Sequence, residues 1–172
     1  VNLKNHPEIQ GLEQYSARWI IGQNLLMVIY FLSGIYGMLH VKNAGMAVFS
    51  AIYTVWIVVM LVFVLRKCMC TNCYYYDKWC NTGWGKLASC FYDKGSGEMS
   101  DRAARLASVT WMSIMFFPIT VMIVSLCLSF SFHVLLKLIV FMLLSAVNYH
   151  LHVLSCGKCK MRGTCPSSAC SS

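Results

Sequence analysis

Polar and apolar positions are not interleaved along this chain but sorted into blocks. Four apolar runs, 18–39, 45–65, 106–130 and 134–154, are separated by a very short turn, a long polar segment and a second short turn. None shows the alternation of a half-buried strand. A helix crossing a hydrocarbon core of about 30 Å needs about 20 residues, and each run supplies that length. Lipid offers no hydrogen bonds, so only helices or closed barrels satisfy their backbone inside it. The pattern therefore predicts an all-α integral membrane protein with four transmembrane helices, paired as two hairpins.

The same blocks predict the organisation of the chain. Residues 1–17 form a polar N-terminal segment and 18–66 a first transmembrane hairpin. A cysteine-rich loop covers 67–105, a second hairpin 106–155, and a cysteine-rich tail 156–172. The first run is too long and too far from the N-terminus for a cleaved signal, and no small-residue cleavage site precedes its end. It is expected to remain as a span.

Composition sharpens this reading. Hydrophobic residues make up 58% of the 172 and charged residues 12%. Soluble domains carry about a quarter charged residues, so the apolar excess must face a lipid bilayer. Twelve of the fourteen Lys and Arg fall on one side of a four-span topology, leaving Lys42 and Lys137 on the other. By the positive-inside rule both termini and the long loop are cytoplasmic. The net charge of +8 is then ordinary for a membrane's inner face, and no nucleic acid is needed to explain it.

Within the runs, Pro118 should loosen its helix and leave a carbonyl for a neighbour to satisfy. Gly34, Gly37, Ser145 and Ala146 are small enough for close helix contact. No run contains Asp or Glu. That absence argues against a proton pump or ion-coupled transporter, which needs an intramembrane carboxylate.

The chemistry lies in the cysteines. Nine of the ten, Cys68, Cys70, Cys73, Cys80, Cys90, Cys156, Cys159, Cys165 and Cys170, sit in the loop and tail, while Cys127 lies within a span as an expected buried apolar residue. Cys70, Cys73 and Cys80 repeat as Cys156, Cys159 and Cys165, each a C-x2-C knuckle followed by a third cysteine just after a helix exit. A reducing cytoplasm disfavours disulfides, and a knuckle lets two thiolates converge on one ion.

Three arrangements compete: separate four-thiolate cages in loop and tail, one site shared by Cys70, Cys73, Cys156 and Cys159, or iron-sulfur clusters in place of zinc. Tetrahedral thiolate suits both metals. Lipidation of Cys68 and a metal-stapled loop without further duty are the plainer readings.

Histidines add weaker candidates. His152 shares a helix face with Cys156, four residues on, and could complete a site or support it. His150 points the other way. His40 and His133, at the far ends of the first and fourth spans, could hold haem or copper.

Together these features predict a membrane-embedded metal-binding subunit carrying an iron-sulfur cluster or zinc. Its expected role is electron transfer at the cytoplasmic face, beside other membrane or cytoplasmic redox subunits. The rivals are a zinc-stapled accessory subunit, a quinone-coupled thiol oxidoreductase and a soft-metal transporter.

Overall fold

The computed structural model describes residues 11–39, 46–97, 100–162 and 165. Four helices are long and apolar enough to cross a membrane. Helix α1 spans Ala17–Leu39. The second span begins as α2, Met46–Ile57, passes through a π-helical segment, Val58–Val64, and ends as α3, Leu65–Cys68. At that join the Leu65 amide donates to the Met60 carbonyl, five residues back, the mark of a widened turn. A short α4, Trp84–Ser89, lies in the loop; α5 covers Asp101–Leu128 and α6 Phe132–Gly157.

Helices α5 and α6 outrun their apolar cores at the cysteine-rich end. Ser100 explains the start of α5, because its hydroxyl accepts from the Ala103 amide at 3.2 Å and satisfies one of the donors that every helix start leaves open. Helix α1 packs on α2, α5 and α6, and α5 packs on α6.

The outer surface of the bundle is apolar: Ile21, Leu25, Val55 and Leu143 are each at least 60% exposed. So large an apolar surface is stable against lipid rather than water. Cys127 belongs to this outer face. The inward positions of α5 run Ile114, Pro118, Val121, Met122 and Ser125, and the helical period carries 127 to the outside.

The core narrows at one crossing point. Pro118 has no amide hydrogen, so the Ile114 carbonyl four residues earlier lacks its helical donor. The hydroxyl of Tyr53, from α2, donates to that carbonyl at 2.9 Å. A Cβ at Gly34 would stand 3.0 Å from Phe141 Cε2, 3.3 Å from the Tyr53 hydroxyl oxygen and 3.4 Å from Pro118 Cγ. Glycine therefore lets α1 approach three other helices at once. Tyr30 stacks on Phe141 with centroids 4.9 Å apart, and Tyr53 stacks on Phe117 at 6.0 Å.

Candidate thiolate centre

At the end of the bundle where α1 starts and α6 stops, three polar segments interlock. The Leu12 amide donates to the Lys158 carbonyl at 2.9 Å, and the Tyr15 amide to the Trp79 carbonyl at 2.9 Å. The Tyr15 hydroxyl donates to the Ser155 carbonyl at 2.8 Å. Lead, loop and tail are thus joined directly. A Cβ at Gly11 would come within 2.6 Å of the Lys160 amide nitrogen, which accounts for the residue that lets the lead lie flat on the tail. Glu13 adds charge to the junction, pairing with Lys160 and Lys78 and accepting from the Tyr74 hydroxyl.

Both knuckles adopt the same turn. The Cys73 amide donates to the Cys70 carbonyl at 3.3 Å, and the Cys159 amide to the Cys156 carbonyl at 3.1 Å. Beyond the tail turn the Met161 amide donates to the Cys159 sulfur at 3.3 Å, and the Tyr75 amide beyond the loop turn favours the charged form of Cys73. Cys80 receives the Gly85 amide at 3.3 Å. Backbone amides aimed at sulfur favour its charged form.

Tyr75 links the two knuckles. Its amide and its hydroxyl both favour the charged form of a neighbouring thiol, Cys73 in the loop and Cys159 in the tail. The hydroxyl also donates to the Leu12 carbonyl at 2.5 Å and accepts from the Lys160 amide at 3.1 Å. The ring is buried, 6.0 Å from that of Tyr15. Gly85 keeps it there: a Cβ at that position would stand 2.0 Å from the Tyr75 carbonyl oxygen.

The thiols feel one another across loop and tail. Burial pushes the Cys73 thiol up to about 12; the Tyr75 amide opposes this, while Cys80, Cys159 and Cys165 add to it. Burial also raises Cys159, against the Met161 amide and the Tyr75 hydroxyl, with Cys156 and Cys165 adding. Cys70 lies within the same electrostatic reach of Cys73 and Cys80, with Arg66 as a positive neighbour. Without a cation these sulfurs hold their protons at neutral pH. A metal ion reverses that balance by replacing them. Among the described residues, no three His, Cys, Asp or Glu side chains stand close enough to hold an ion as they are. The thiols would have to draw together around it.

Of the other candidates, Cys156 is within electrostatic reach of Cys159, while His133 is at the opposite end of α6. The Cys90 sulfur is exposed and donates to the Lys86 carbonyl at 3.6 Å. Cys68 is half-buried on α3. His152 Nε2 and Cys156 Sγ are 3.5 Å apart on α6. His150 is exposed, as is His133 near the start of α6. His40 and Cys170 lie outside the described residues.

Comparison with protein-family models, with curated proteins and with solved structures finds no match to this chain.

Tyr75, Tyr15 and the lead 11–16 are parts of this junction that the cysteine pattern did not reveal. The available signals were a tyrosine run between two cysteines and the glycines at 11 and 85, each needed for a close backbone approach.

Proposed function

We propose that this chain is a membrane-embedded metal-thiolate protein whose centre lies at the cytoplasmic face and passes electrons between a water-soluble donor and a membrane partner. The observation carrying this reading is Tyr75, which follows the loop knuckle by two residues, is buried, and accepts through its hydroxyl from the Lys160 amide just beyond the tail knuckle. An iron-sulfur cluster bound there would supply a one-electron couple. The chain's own contribution is to hold the sulfurs, aim amides at them and cover them with Tyr15 and Tyr75. Hydrogen bonds to sulfur and restricted solvent access are the means by which a protein sets a cluster's potential.

The orientation follows from the positive-inside bias, with the four spans paired as two hairpins. Labelling intact cells with an impermeant thiol reagent tests it, because exposed Cys90 should react only after permeabilisation. Elemental analysis and optical spectroscopy of anaerobically purified protein test the function. Iron with sulfide, broad absorption in the blue and bleaching by dithionite are expected.

A second reading is favoured by the interlocking of lead, loop and tail. A zinc ion at the same thiolates would staple these segments without redox duty. Colourless protein with stoichiometric zinc would establish the staple and end the electron-transfer reading.

A further inference from the structure

Among the described residues, no anion answers the charge of Arg66. It is the first residue past the apolar run that ends at Leu65, half-buried on α3, with its guanidinium carbon 5.3 Å from the centre of the Trp84 ring. Its Nε is fully buried and has no hydrogen-bond partner. Glu13 is taken by Lys78 and Lys160, and Asp77 by Lys86. Cys70 lies within electrostatic reach, but burial raises that thiol to about 12 and it keeps its proton at neutral pH. A cation drawn out of water is costly unless an anion or acceptor completes it.

Beside it, α4 leaves an apolar edge uncovered. Trp84, Leu87 and Phe91 fall at i, i+3 and i+7 and share a face, while Lys86 and Ser89 on the other face hold the Asp77 carboxylate at 2.7 and 3.0 Å. The Tyr92 amide donates to the Ala88 carbonyl at 2.9 Å, so the helical turn runs on past the end of α4 and keeps Phe91 in register. Trp84 is half-buried, but Leu87 is exposed and Phe91 is 70% exposed.

What covers that edge follows from its height along the bundle. The Tyr92 hydroxyl donates to the Phe63 carbonyl at 3.5 Å, inside the apolar run of the second span. Three residues on, the Gly95 amide donates to the Thr71 carbonyl at 3.1 Å. Phe63 lies about 12 Å from Thr71 along the span at about 1.5 Å per residue. The loop therefore dips beside the span to the level where hydrocarbon gives way to headgroups, then climbs away. There it continues the lipid-facing surface on which Val62 and Phe63 are exposed. Charge agrees with a lipid covering: Lys67 is exposed, as are Arg102 and Arg105 on the first turns of α5, which packs on α3.

We infer that the shoulder formed by α3, α4 and Tyr92 docks an anionic phospholipid of the adjoining leaflet, with its phosphate on the Arg66 guanidinium and its acyl chains along Leu87 and Phe91. An arginine at this level reaches headgroups while its stem stays on apolar surface. Basic pockets beside membrane helices bind such headgroups. The inference is independent of what the thiols hold.

The test uses the full chain in detergent micelles, titrated with phosphatidylglycerol or phosphatidylcholine and read by native mass spectrometry. Phosphatidylglycerol should bind about fivefold more tightly, the worth of one basic residue at an anionic surface. Arg66→Gln should abolish that preference with far-ultraviolet circular dichroism unchanged, whereas Lys86→Gln, whose cation is held by Asp77, should leave it intact. Equal binding of the two lipids, a preference that survives Arg66→Gln, or displacement of phosphatidylglycerol by millimolar inorganic phosphate would each overturn the lipid site. A second measurement leaves Arg66 in place. With Phe91 replaced by photoreactive p-benzoylphenylalanine, the full chain in phosphatidylglycerol nanodiscs should cross-link to phospholipid on irradiation. No lipid adduct from a chain with intact helices, or a cross-link to a protein in place of lipid in native membranes, would also overturn the inference.

Discussion

Replacing Tyr53 with Phe removes one hydroxyl and keeps the ring that stacks on Phe117, so it isolates the hydrogen bond to the Ile114 carbonyl. Ile114 is fully buried, and Pro118 offers that carbonyl no amide. No water reaches it in the bundle interior. An orphaned buried acceptor costs about 1–3 kcal/mol in soluble proteins. Bonds between membrane helices average about 0.6 and reach about 1.7 kcal/mol, because the unfolded chain in a membrane also finds partners. A loss of about 1–2 kcal/mol is therefore expected for Tyr53→Phe in unfolding titrations with denaturing detergent. The cause can be separated from any other effect of the hydroxyl by pairing the substitution with Pro118→Ala. Alanine restores the amide, the Ile114 carbonyl regains its helical donor, and Tyr53→Phe should then cost close to nothing. The coupling between the two sites should be about 1 kcal/mol, in the usual range for residues sharing one interaction. Additive losses, with Tyr53→Phe as damaging in the alanine background as in the native one, would refute the argument.

The remaining predictions concern close contacts and the thiols. Gly34→Ala should destabilise by about 1–3 kcal/mol, the usual cost of overpacking, because Phe141, Tyr53 and Pro118 all meet the new Cβ. Gly37→Ala should cost less in the same titration, since its nearest contact is the flexible Met122 side chain; Gly22→Ala, with nothing within 4 Å, should cost nothing measurable. Tyr75→Phe removes the acceptor of the Lys160 amide and should loosen the tail, read as faster alkylation of neighbouring Cys159 with the helices intact. In metal-free protein the Cys73 thiol ionises near pH 12 when folded, against an ordinary value of 9.0. The folded state then binds the proton more tightly than the unfolded one, so this contribution to cap stability is complete below pH 9 and lost as pH rises toward 12. Alkylation of Cys73 should keep accelerating across that window; a rate that levels off by pH 9 would contradict the burial of Cys73.

The pattern of apolar blocks by itself determined four membrane-crossing helices, because length and hydropathy are local properties that bilayer thickness converts directly into spans. Pro118 and Gly34 were legible as a carbonyl to be satisfied and a site of close approach. The turns at Cys70–Cys73 and Cys156–Cys159 were legible from the C-x2-C spacing, since a four-residue turn is also local. What the folded chain alone decided is who meets whom. That Tyr53 serves Ile114, that Tyr75 joins lead, loop and tail, and that the lead 11–16 lies on the tail depend on contacts 61 to 147 residues apart. No periodicity records such pairings. Helix α4 was also missed in the sequence, because Gly83, with a left-handed φ of 74°, starts it inside a stretch that reads as a turn. Cys127 looked like core and faces outward, because an apolar run in a membrane helix is equally apolar on both faces and only packing against α1 and α6 chooses which is inside.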